Sequence, residues 1–133
     1  MSSLPLFALV LLTTASPASD EPPPKAVVVR FLERARERDW TAAAAMLTAD
    51  AQVLVGHVGG PLNAETVSVI GAMDRANCKA LEPAETKQRL DGHPDLRFVE
   101  VRHQCSYRDK PGTHEMVATI FVKKGQIAGY MLN

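Results

Sequence analysis

The side chains able to do chemistry in this 133-residue chain are few: two cysteines, four histidines, two tyrosines and one tryptophan. Cys78 and Cys105 lie 27 residues apart with no C-x-x-C spacing, so they do not read as a catalytic dithiol. An even pair in an exported chain reads as a disulfide. If Cys78–Pro83 runs antiparallel to Arg97–Cys105, the two thiols face each other at the open end of the pairing. Closing such a loop stabilises a fold by about 3–4 kcal/mol. His57, His93, His103 and His114 are scattered, without H-E-x-x-H or a close carboxylate cluster, so neither a metal nor a cofactor is expected. The Asp91–Asp95 turn accounts for His93 without a ligand. Acid–base work is the chemistry that remains, with His103 as base and Tyr107 or Tyr130 as donor. His103 and Tyr107 alternate onto one face of an extended run, Tyr130 lies in the last such run, and His57 stands at the edge of the first. With Trp40 these form a set of pocket candidates, each explained more simply as a core or surface side chain whose polar atom is satisfied.

The length suits one domain with one core, and 46% hydrophobic residues can fill it. Acidic and basic side chains balance at 15 each, which leaves no overall field to attract nucleic acid or an anionic membrane. Residues 1–18 are different. Leu4–Leu12 is almost wholly apolar and is followed by Ala15, Ser16, Ala18 and Ser19, the pattern of a secretory signal peptide. The run is too short to span a bilayer and no cysteine follows it to carry a lipid, so no stable membrane anchor is expected after cleavage at Ala15 or Ala18. Residues 19–25 then form a proline-rich leader, residues 26–133 the folded domain, and the expected location is periplasmic or secreted.

The positioning elements begin with Ala26–Asp50, which reads as a long amphipathic helix, a tight break and a shorter helix. Val28, Phe31, Leu32 and Ala35 recur at helical spacing, with arginines and glutamates on the remaining arc. Asp39 is placed to cap a second helix over Trp40–Leu47. Gln52–Val55 with Val58 favours a strand, and Gly56, Gly59, Gly60 and Pro61 break it as a turn without phosphate-loop spacing. Asn63 opens a third helix over Ala64–Arg75, an extended Cys78–Leu81 follows, and Pro83–Leu96 reads as a polar excursion. Arg97–Tyr107 alternates cleanly, with Val99, Val101, His103, Cys105 and Tyr107 on one face. Glu115–Val122 and Ile127–Leu132, joined through Gly125 and Gln126, complete an antiparallel meander. Helices first and a curved antiparallel sheet after them make an α+β arrangement.

Three strings, VVRFLERARERDWTAAAAMLTADAQV, GGPL and ATIFVKKGQIAGYMLN, resemble the nuclear transport factor 2-like, SnoaL-like superfamily over about Pro24–Asn133. The resemblance implies a cone-shaped α+β fold with N-terminal helices packed on a curved antiparallel sheet. It also implies a pocket inside the cone and frequent homodimers through the outer face of the sheet. Members include ketosteroid isomerases, polyketide cyclases and accessory proteins without chemistry. The isomerases' aspartate base aligns with Val55, which cannot move a proton, and no tyrosine lies between Val27 and Trp40 to build their oxyanion hole. The expected function is therefore an exported, non-catalytic protein that binds a small apolar ligand or a protein partner, including a second copy of itself. A small-molecule isomerase, cyclase or hydrolase is the alternative.

Overall fold

Helix α1 (Pro24–Arg36) starts two residues earlier than its apolar repeat suggests, because a proline in the first turn lacks only an N–H that would have had no partner there. Val27, Val28, Phe31 and Ala35 are buried along its inner stripe, while Leu32 is half-buried. Arg34 and Arg36 in the last turn complement the helix dipole. The tight break has a specific cause. Arg38 adopts φ 64°, its N–H donates to the Ala35 carbonyl (3.2 Å), and the Asp39 N–H donates to that of Arg34 (2.9 Å). Asp39 then accepts from the Ala42 N–H at 3.2 Å and caps α2 (Trp40–Ala44). This computed structural model describes residues 21–76 and 78–132, so the signal-peptide reading of residues 1–18 falls outside the described residues.

Helix α2 was expected to run to Leu47, but it ends at Ala44 and strand β1 (Leu47–Val55) begins instead. Pairing overrides local propensity here: Leu47 lies opposite Ile127, and the Ile127 N–H donates to the Met46 carbonyl at 2.8 Å. The glycine segment is likewise more than a turn. Val58–Pro61 forms a second strand, β2, joined to β1 by the two residues Gly56 and His57. Helix α3 (Ala64–Ala76) follows, opened by Asn63, whose Oδ1 accepts from the Thr66 N–H at 3.1 Å. The remaining strands are β3 (Cys78–Ala80), β4 (Ala84–Glu85), β5 (Leu96–Tyr107), β6 (Lys110–Lys123) and β7 (Gln126–Leu132).

All seven strands form one curved sheet in the order β2-β1-β7-β6-β5-β3, with β4 also paired to β5. β4 lies inside the stretch expected to be only a polar excursion; it is a two-residue edge ladder on Glu100 and Val99. β5, β6 and β7 form the expected antiparallel meander, but β1 runs parallel to β7, which makes the sheet mixed. The β6–β7 turn places Lys124 (φ 49°) and Gly125 (φ 78°) in the left-handed region, the pattern that matches a two-residue hairpin to strand twist. The helices cover the inner face, where Val99, Val101, Ile120, Ile127 and Tyr130 close the core against α1. Among the described residues no helix is long and apolar enough to cross a membrane.

Gly71 marks a close helix crossing. A Cβ there would lie 2.8 Å from the Ala35 carbonyl carbon and 3.2 Å from Trp40 Cζ3. Ordinarily Gly→Ala within a helix stabilises by up to about 1 kcal/mol. At this crossing Gly71→Ala is expected to destabilise by about 1–3 kcal/mol, because α1 and α3 must separate to admit the methyl group. Urea unfolding followed by circular dichroism reads the sign, and a stabilised variant would contradict the crossing.

Candidate functional site

The inner face of β5 presents Val99, Val101, His103 and Cys105 in alternation, all within 1% of complete burial. Their partners on β6 are Ile120, Ala118, Met116 and His114, and directly opposed residues share a face. The apolar half of this ladder lies under α1, and the far half is a cluster of sulfur, imidazole and phenol. Cys78 sits opposite Cys105 and is disulfide-bonded to it, with the Cα atoms 4.0 Å apart. Sequence alone places that bridge at the end of the β3–β5 pairing, and the structure puts it there.

Tyr107 reaches this cluster by an irregular route. Between the Ser106–Thr113 and Tyr107–Lys110 pairs, Pro111 and Gly112 are extra residues on β6, and Gly112 takes φ 85° to bend the strand. The bend lets the Tyr107 O–H donate to Met116 Sδ (3.5 Å) and tilts its ring against that of His114, with centroids 5.7 Å apart. Met116 Sδ also lies 3.7 Å from Cys105 Sγ. Tyr107 is 40% exposed, whereas His103 behind it is 1% exposed, so the phenol forms the outer edge of the cluster. His114 is half-buried, and its Nε2 has no hydrogen-bond partner.

The other candidates lie elsewhere. Tyr130 is buried on β7 in the row of Ile120 and Val99, two strands and four residues from His103, which is roughly 15 Å of sheet. His57 is exposed in the β1–β2 turn. Trp40, half-buried at the start of α2, packs against the core near Gly71. The structure therefore brings His103 and Tyr107 to one end of the inner face and leaves Trp40, His57 and Tyr130 apart. Sequence reasoning passed over Met116 and did not join His114 to His103. Their alternation on the facing strand was the available signal, and the two-residue bulge obscured its register.

Among the described residues, depressions lie along the exposed side of α1, beside Pro22–Pro24, around Gly92–Leu96 and between α1 and Ala80–Pro83. None of these is lined by the five candidates. The same residues contain no group of three or more His, Cys, Asp or Glu side chains arranged around a metal ion. One carboxylate is electrostatically tuned: the hydrogen bond and charge of Lys25 hold Glu82 below the ordinary carboxylate range. Any stability it adds is present above the unfolded carboxylate pKa and fades as pH falls through the lower folded value. The pair is solvent-exposed, so salt screens it.

No protein-family model and no curated protein sequence matches the chain. Solved structures do. An NTF2-like protein of unknown function from Cytophaga hutchinsonii superposes with TM-score 0.53 at 12% identity, covering 86% of this chain and 92% of that one. Rd1NTF2_04, with a long sheet, gives TM-score 0.60 at 15% identity, covering 84% and 100%. A Catenulispora acidiphila protein with a ketosteroid isomerase-like fold, solved with trimethylamine, gives 0.51 at 14%, covering 80% and 83%. At these identities the likeness is one of fold.

Replacing both cysteines together (Cys78→Ala with Cys105→Ala) is expected to destabilise the protein by about 3 kcal/mol, the loop-closure share of a bridge spanning 27 residues. Chemical unfolding measures it. Thiol titration of the unreduced, denatured protein should find no free sulfhydryl; two would contradict the bridge.

Proposed function

We propose that this chain, which has the nuclear transport factor 2-like (SnoaL-like) fold, is an exported accessory protein that acts by binding and not by catalysis in its cone. The observation that carries the reading is the content of the inner face. Tyr130, Phe31, Ile120, Ile127 and His103 are the largest fully buried side chains, and they occupy the side of the sheet where a catalyst would need a substrate-sized opening with converging polar groups. Val55, at the position where the isomerases carry their base, is 48% exposed at the end of β1 and has no proton to exchange. The disulfide supports export, since such a bridge persists in an oxidising compartment. The apolar stretch before Ala18 supports it independently. The binding partner is a small apolar molecule or a protein, a second copy of the chain included.

One observation favours a second reading, an isomerase, cyclase or hydrolase using His103 and Tyr107. The two residues share the end of one face, and the Tyr107 hydroxyl bonds the thioether directly across from His103. Such chemistry needs His103 to meet solvent or substrate, so access separates the readings.

Brief treatment of the native protein with diethylpyrocarbonate, read by peptide mass spectrometry, is expected to modify the exposed His57 and His93 and to modify His103 more than an order of magnitude more slowly. Comparable labelling of His103 would reveal an opening onto the inner face and favour the enzyme. Export is read separately. After expression of the full chain, the mature protein should be recovered outside the cytoplasm with its N-terminus following Ala15 or Ala18, and retention of Met1 in the cytosolic fraction would refute it.

A further inference from the structure

The cluster at the end of β5 and β6 has a composition that neither catalysis nor core packing requires. Met116 lies between two nitrogen-bearing neighbours on one face, with His103 directly across the ladder and His114 two residues along its own strand. Directly opposed residues have Cβ atoms about 5 Å apart, and same-face neighbours on one strand lie about 7 Å apart. At those separations two imidazoles and a thioether can converge on a single ion. We infer that His103, His114 and Met116 form a binding site for a soft monovalent metal ion, cuprous copper.

Donor chemistry selects the ion. A thioether is a poor ligand for hard cations and a good one for Cu(I), and imidazole suits copper as well. With both cysteines joined in the bridge, no thiolate is present to favour zinc. The thioether is held in place on two sides, by the Tyr107 O–H at 3.5 Å and by Cys105 Sγ at 3.7 Å. Sulfur keeps a further lone pair when it accepts one hydrogen bond. His114 contributes a buried Nε2 without a hydrogen-bond partner, an arrangement that carries a desolvation cost unless something coordinates it. Entry is short, because His114 and Met116 are only half-buried and the Tyr107 ring beside them is 40% exposed. Binding needs no change of oxidation state, since the ion enters as Cu(I) and is held by imidazole nitrogen and thioether sulfur.

The test is an anaerobic titration of the disulfide-intact full chain with Cu(I) in competition with a chromogenic cuprous chelator, alongside methyl NMR of protein labelled at its methionine methyl groups. One equivalent is expected to bind, and the Met116 methyl resonance is expected to move while those of the other four of the five methionines stay in place. Met116→Leu, which conserves volume and should leave the melting curve unchanged, is expected to weaken binding at least about tenfold, as is His114→Phe. His57→Ala should have no effect. Failure to compete for Cu(I), a shift at a different methionine, or full affinity in both Met116→Leu and His114→Phe would each overturn the site. None of these outcomes depends on export or on the absence of catalysis.

Discussion

The burial of one helical stripe against one sheet face holds this molecule together. Val27, Val28 and Phe31 on α1 are each at least 97% buried, and every such side chain contributes about 1.5–3 kcal/mol relative to exposure. Their partners are the inner residues of β5, β6 and β7, which would otherwise face water along strands of 12, 14 and 7 residues. The same helix sets the position of α3, because Ala35 in its last turn meets Gly71 at backbone distance. The crossing of the helices and the packing of the sheet's inner face meet at this one contact surface.

That surface was legible in the sequence wherever the determinants are local. The Val28-Phe31-Leu32-Ala35 spacing, the Asp39 cap, the alternation through Val99, Val101, His103 and Cys105, and the Cys78–Cys105 opposition all depend on residues close in the chain or on one antiparallel return. β1 was not legible in the same way. Its first residues, Leu47 and Thr48, follow a run of alanines that favours helix, and what makes them a strand is Ile127, some 80 residues away. A parallel partner at that distance leaves no periodic trace in the segment it recruits. β2 escaped for a related reason. Val58-Gly59-Gly60-Pro61 has poor strand propensity and forms an edge only because Gln52–Val55 offers it a ladder.

The β5–β6 hairpin end of the sheet was half legible. Alternation correctly sends His103 inward, but it also assigns Tyr107 to the same buried face, and the structure leaves that residue at the surface. The difference comes from Pro111 and Gly112, which add two residues to one strand and turn the hairpin end outward. A bulge of that kind shifts register without altering composition, so the approach of Tyr107 to Met116 and His114 cannot be read from spacing. What spacing does retain is the pairing beyond the bulge, where two histidines, a methionine and a cystine sulfur fall on one face.

Burial bears on the two uses of that face in opposite directions. A histidine that serves as general base must acquire a positive charge during the reaction, and a site sealed by apolar neighbours opposes charge unless a counter-ion is supplied. A histidine that serves as a metal donor acts through a neutral ring, and withdrawal from water removes the solvent that would compete for the ion and for the imidazole lone pair. His103, 1% exposed and facing a thioether, is withdrawn from the water that would compete with a donor role. In the same way, a hydroxyl that donates to sulfur, as that of Tyr107 does, is poorly placed to deliver a proton to a substrate but well placed to fix the thioether's orientation. A fold shared with NTF2-like and ketosteroid isomerase-like structures at 12–15% identity specifies where the backbone runs. The side chains that this sequence places at the end of its two longest strands are suited to holding something soft and still.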